Sequence, residues 1–142
     1  MLVKLLPDNV ARNWDTIKFA ISESLPPVAG EGLTKMNNIL EALLAGSLEC
    51  WVSVFDEKIK AIGTTQVLHD AISDTHNLCI YSFYSYTNMG NSEWAEELNT
   101  LKRYAESRGC VRIIAYTKIP ALVQLIQRLG GETDVTVLSI NI

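Results

Sequence analysis

A chain of 142 residues, 48% hydrophobic and 20% charged, has the length of one ordinary domain and the composition of a folded protein. Its net charge of −4 and pI near 5.1 lack the Lys/Arg surplus that phosphate-rich partners demand. Neither nucleic acid nor an anionic membrane is therefore expected as its main partner.

Three cysteines, Cys50, Cys79 and Cys110, are odd in number, lack C-x-x-C spacing and sit in apolar runs. Buried free thiols in a reducing compartment are the expectation. The opening stretch is too short for a signal-peptide core, and no apolar run approaches the ~20 residues of a membrane span. A cytoplasmic protein is expected.

In chain order, residues 1–6 read as a short strand ended by Pro7. Asp8 then caps a helix with Val10, Trp14, Ile17 and Ile21 on one face, spacings of four, three and four. Pro26 and Pro27 stop it. Thr34 caps a second helix striped by Met36, Leu40 and Leu43 and closed by Gly46. The period then changes. Residues 49–55 are apolar on both faces, as in an interior strand, and Asp56-Glu57-Lys58 turns the chain into a return strand over 59–68. Residues 69–76 read as a polar connection and 77–86 as a third strand.

Thr87-Asn88-Met89-Gly90-Asn91-Ser92 is a polar loop opening a helix with Trp94, Leu98, Leu101 and Ala105 on one face, ended by Gly109. Residues 111–116 read as a buried strand. Pro120 suits the first turn of a last helix closed by Gly130-Gly131, and 133–142 is strand-like to the end. No repeat, low-complexity tract or linker divides the chain, so one domain over 1–142 is expected.

This order, β-α-α-β-β-β-α-β-α-β, resembles that of the Gcn5-related N-acetyltransferases (GNAT) over essentially the whole chain. The resemblance implies a mixed α/β (α+β) fold, a mostly antiparallel sheet flanked by four helices. Ser24-Leu25-Pro26-Pro27, the 78–84 strand and Tyr104-Ala105…Gly109-Cys110 also look like small GNAT-like proteins of tailed bacteriophages. It implies acetyl-CoA as acyl donor and a small amine or a protein amino group as acceptor.

In the family, the loop after the fourth strand has the form Q/R-x-x-G-x-G/A, and its backbone amides hold the acetyl-CoA pyrophosphate. Residues Thr87, Met89, Gly90, Asn91 and Ser92 occupy that frame, with Thr87 in place of Gln or Arg and Ser92 in place of Gly or Ala. Free amides at a helix start make an anion site. Glu93, Glu96 and Glu97 oppose it, since carboxylates there satisfy the helix dipole themselves. The same stretch also reads as a plain strand-to-helix turn.

Acyl transfer to an amine needs a base, an acid for the leaving thiolate and donors for the oxyanion. Family members often carry a tyrosine acid about four residues before the last helix's closing glycine. Ile126 stands there and has no proton to give. Tyr84 and Tyr116 are the candidate substitutes, and His69, next to Asp70, the candidate base; each also reads as a packing or loop residue. The glutamates of 41–49 and 93–97 read as solvated faces or as an acidic acceptor groove. Two separated histidines make no metal site.

Two functions stay open on these residues. One is an acetyl-CoA-dependent N-acyltransferase. The other is a non-catalytic GNAT-fold structural or assembly protein that binds other virion proteins. A metabolite-sensing domain is a weaker third. Self-association into a homo-oligomer is compatible with either.

Overall fold

The computed structural model describes residues 1–27, 30, 32 and 34–142. Its elements run β1 (Leu2–Lys4), α1 (Pro7–Arg12), α2 (Trp14–Glu23), α3 (Lys35–Ala45), β2 (Glu49–Phe55), β3 (Lys58–Asp70), β4 (Thr75–Ser85), α4 (Asn91–Ser107), β5 (Cys110–Ala115) and α5 (Pro120–Arg128). The five strands form one sheet in the order β1-β2-β3-β4-β5. Every neighbouring pair is antiparallel except β4 and β5, which run parallel. The expected mixed, mostly antiparallel architecture is what forms.

The sheet separates two apolar layers. On one face Val10, Ile17, Ile21, Ile39 and Leu43 from α1–α3 pack on Cys50, Val52 and Ile62. On the other, Leu101 and Ala105 of α4 pack on Leu2, Trp51 and Leu78. Complete burial of an isoleucine such as Ile17 or Ile62 stabilises by about 1.5–3 kcal/mol. The apolar character on both faces that makes β2 look interior is accurate: residues on both its faces are covered.

A polar knot lies under α4. The Glu49 carboxylate, 7% exposed, accepts from Thr65 Oγ1 at 2.8 Å, Tyr104 Oη at 2.6 Å and an Arg108 nitrogen at 3.3 Å. Trp51 Nε1 donates to the same Thr65 hydroxyl at 2.8 Å. A buried carboxylate is tolerable only when satisfied in this way.

Several boundaries depart from the sequence reading, each for a local reason. The single first helix is two, broken at Asn13, whose side-chain amide donates to the Asn9 carbonyl at 2.8 Å. Such short side chains compete with the helix ladder. Pro7, not a capping Asp8, starts α1, and Thr34 makes no side-chain cap bond. Gly46 does close α3 in the left-handed conformation, φ 82°. Asp56 and Glu57 turn the β2–β3 hairpin with φ of 49° and 61°, the signs a two-residue primed turn requires.

Half of the 69–76 connection is strand: β3 runs on to Asp70 and β4 begins at Thr75, with His69 paired to His76. Strand β5 is half-exposed rather than buried, because it is the sheet's outer edge. The expected final strand over 133–142 does not form. Those residues lie off the sheet and are exposed along their whole length, with no ladder partner to fix them.

Candidate functional site

The β4–β5 ladder ends at Ile80–Ala115, yet β4 continues to Ser85. From Tyr81 to Ser85 it therefore has no strand on that side. Its pairing with β3 also changes register here: Thr64 faces Ser82 while Thr65 faces Ile80, so Tyr81 is the extra residue of a bulge. A bulge bends the strand and re-aims its side chains. Tyr81 and Tyr84 consequently both pack on the α1–α3 face, which strict alternation would forbid.

A cleft of about 560 Å³ opens at this point. Gln66, Leu68, Cys79 and Tyr81 form its floor, Asn38, Ile39 and Leu48 one wall, and Tyr116 the rim beyond β5. Among the described lining residues no carboxylate occurs, and Lys35 is the one cation, its Nζ donating to the Gly30 carbonyl at 2.6 Å. The acidic acceptor groove therefore does not form there from the 41–49 or 93–97 glutamates. Glu49 is turned into the α4 side, and Glu97 accepts from Ser53 Oγ at 2.6 Å.

Burial raises the Tyr81 hydroxyl above its ordinary pKa, helped by neighbouring Cys79, so it keeps its proton. Burial raises the Cys79 thiol as well, and pushes Cys50 up to about 12. These are inert core thiols, not thiolate nucleophiles. All three cysteines are unpaired.

The start of α4 lies beyond the free stretch of β4. Tyr86 N–H bonds the Lys60 carbonyl at 2.8 Å, Ser85 Oγ donates to the Thr87 carbonyl, and Gly90 is the N-cap. Asn91 and Ser92 thus belong to the helix's first turn rather than to the loop. The Gly90 N–H donates to the Glu93 carboxylate at 3.3 Å; with no side chain on Gly90, this is one half of a capping box. The N–H groups of Met89, Asn91, Ser92 and Glu93 have no hydrogen-bond partner among the described residues. Lys60 Nζ holds Glu93 at 3.1 Å, and that bond lowers the Glu93 pKa. A diphosphate fits these free amides only if the Glu93 carboxylate swings aside.

The remaining sequence candidates fall in different places. Tyr116 is on the cleft rim. Tyr84 is one bulge away from Tyr81, edge-on to Phe19 at 5.7 Å and to Tyr86 at 5.0 Å. His69 follows cleft-lining Leu68 but does not itself line the cleft; at the β3–β4 hairpin it stacks on His76 at 4.4 Å and pairs with Asp74 at 2.9 Å. Ile126 is half-exposed, with its side chain against Gly131. Tyr81 was missed: it lines the cleft beside Cys79, two positions back on the same face of β4, and a Tyr-rich strand gives no sign of which of its faces the cleft will adjoin. Among the described residues no cluster could hold a metal ion, and no helix is long and apolar enough to cross a membrane.

No family model and no curated protein matches the sequence. Solved structures do match in shape. Ribosomal-protein-alanine N-acetyltransferase from Brucella melitensis biovar Abortus 2308 superposes with a TM-score of 0.71 at 11% identity, over 100% of this chain and 99% of that one. A predicted acetyltransferase with acetyl-CoA from Clostridium acetobutylicum gives 0.71 at 15%, over 99% and 95%. An aminoglycoside acetyltransferase from an uncultured soil metagenomic sample, in complex with sisomicin, gives 0.70 at 13%, over 100% and 95%. With the parted strands, the bulge and the helix that follows them, the chain has the GNAT acetyltransferase fold.

Proposed function

We propose that this protein transfers an acetyl group from acetyl-CoA to an amine, either a small molecule or a protein amino group, at the point where β4 and β5 part. The observation that carries this reading is the strand-free edge of β4 from Tyr81 to Ser85. It lies between the cleft on one face and the start of α4 on the other. Free amides at residues 91–93 are suited to the donor's phosphates, with Lys60 released as a counter-charge when Glu93 turns away. Main-chain N–H groups on the unpaired edge are suited to the thioester oxygen as negative charge develops there.

In the reaction the amine nitrogen bonds to the thioester carbonyl carbon and the C–S bond breaks. The departing thiolate takes one proton and the nitrogen loses one. Tyr81 and Tyr116 are the hydroxyls available at the cleft, and Tyr81 is held protonated by burial. We assign the acid role to one of these two, with solvent as the proton sink, since His69 is engaged elsewhere. Calorimetry and a turnover assay with acetyl-CoA and a panel of amines test the proposal. Heat of binding and amine-dependent release of free thiol are expected; no binding at millimolar acetyl-CoA would end it.

One observation favours a second reading, a non-catalytic GNAT-fold component of an assembly such as a virion. The Glu93 carboxylate already caps α4 and is already paired with Lys60, and Ile126 offers no acid. That reading expects no acyl-CoA affinity and stable co-purification with a partner protein.

A further inference from the structure

The walls of the cleft decide which protonation state of an amine can enter it. Its titratable groups are Cys79 and Tyr81 on the β4 floor, Lys35 at the start of α3 and Tyr116 on the rim. Among the described lining residues none is a carboxylate or a histidine, and Asn38 and Gln66 add only neutral polar groups. Glu31, between the lining glycines Gly30 and Gly32, lies outside the described residues. The bond from Lys35 Nζ to the Gly30 carbonyl, 2.6 Å long, keeps a positive charge in the α3 wall.

Two effects then act on an amine nitrogen brought to this floor. Burial raises both the Cys79 thiol and the Tyr81 hydroxyl above their ordinary pKa values, so the floor penalises charge. The same desolvation works on an ammonium in the opposite direction and drives it to give up its proton. Lys35 adds like-charge repulsion. No described lining group supplies a counter-charge to hold an ammonium, or a base to take its proton.

We infer that the acceptor is a weakly basic primary amine with no second positive charge, and that it enters the cleft already neutral. The inference rests on the proposed acetyl transfer. Outside the cleft the ammonium gives its proton to buffer. Inside, the nitrogen lone pair bonds to the thioester carbonyl carbon and the C–S bond breaks. The thiolate takes a proton from a cleft tyrosine, and the surplus proton on nitrogen leaves to water, which restores the tyrosine. The basicity of the amine therefore sets how much of it is ready to react. An α-amino group, with a pKa of about 7.7–8.0, meets this demand, and a lysine-type amine at about 10.4 does not. Near neutral pH their neutral fractions differ by about 300-fold.

Alanyl-alanine amide and Nα-acetyl-lysine amide carry one amine each and test the inference with acetyl-CoA as donor. Near neutral pH kcat/KM should favour the first by about 30-fold or more, since the more basic nitrogen is the stronger nucleophile once free. As pH rises, its profile should level off near the amine's own pKa while that of the lysine amide still climbs. Lys35→Glu gives an ammonium its counter-charge in a helix turn that suits a carboxylate, and should narrow the preference by about tenfold. Glu31→Gln should leave preference and profile unchanged. Equal or reversed preference, two profiles levelling off at one shared pKa, or a preference lost in Glu31→Gln overturns this inference alone. So does acetyl-CoA binding without turnover of the α-amine. A protein that neither binds acetyl-CoA nor turns over either amine overturns it together with the transferase reading.

Discussion

Lys60 Nζ and the Glu93 carboxylate lie 3.1 Å apart, bridging the start of β3 and the first turn of α4. The pair closes with a protein carboxylate the helix end where a donor's phosphates would dock. Lys60 also lies 4.4 Å above the Phe55 ring, so its charge stays at this corner when Glu93 moves.

From that relationship, Glu93→Gln should tighten acetyl-CoA binding by about three- to tenfold, since it removes like-charge repulsion at a helix start. The amide keeps a hydrogen-bond acceptor for Gly90. Lys60→Met should weaken binding by a similar factor. Calorimetry at low and high salt checks both, and the difference between variants should shrink as salt rises.

At the cleft, Tyr116→Phe and Tyr81→Phe separate the two hydroxyls. Whichever donates to the leaving group should lower kcat by about tenfold to a hundredfold or more, with little change in KM. The other should alter kcat by less than about threefold. His69→Ala, outside the cleft lining and paired with Asp74, should leave turnover unchanged and move stability by no more than about 0.5 kcal/mol.

The knot around Glu49 makes a pH prediction. Burial first, then the hydrogen bond to Glu49, pushes the Tyr104 hydroxyl from its ordinary 10.0 up to about 12. The folded state thus holds this proton more tightly than the unfolded chain does. Its stabilising contribution is complete below about pH 10 and is lost as pH rises from there through about 12. Tyr104→Phe should destabilise by about 1–3 kcal/mol at neutral pH, through Glu49's lost donor. It should also flatten the alkaline fall in denaturant midpoint, read by urea titration at a series of pH values.

Gly63 sets how closely β3 approaches Phe83. A Cβ there would meet Phe83 Cδ2 at 2.9 Å and the Ser82 carbonyl oxygen at 3.3 Å. Phe83 in turn packs on Trp94 with ring centroids 5.0 Å apart. Gly63→Ala should therefore cost about 1–3 kcal/mol by overpacking, seen in thermal melts, and shift Trp94 fluorescence as the first turn of α4 is displaced.

How much of this was readable in the residues follows from which interactions are local. The helix faces of Val10, Ile17 and Ile21, the Gly46 stop and the paired runs of β2 and β3 rest on periodicity and turn chemistry within a few residues, so the architecture came through. The Asn13 break is also local, but the apolar spacing across it is continuous and masks it. Tyr84's place on the same face as Tyr81 depends on a register slip between strands, and Glu49's burial on Tyr104 and Arg108 more than fifty positions away; neither is encoded in a window. The 133–142 stretch has strand composition, and composition alone does not supply a ladder partner.

The polar knot and the cleft lie on opposite sides of one sheet. Thr65, Tyr104 and Arg108 fasten β3 and α4 to Glu49 from behind, while Asn38, Ile39 and Leu48 line the front from a separate helix and loop. Exposed front positions such as Asn38 can thus be exchanged without loosening the clamp, whereas Ile39 and Leu48 belong to the core. A scaffold partitioned this way lets the exposed part of the opening vary in shape and polarity at little expense to folding.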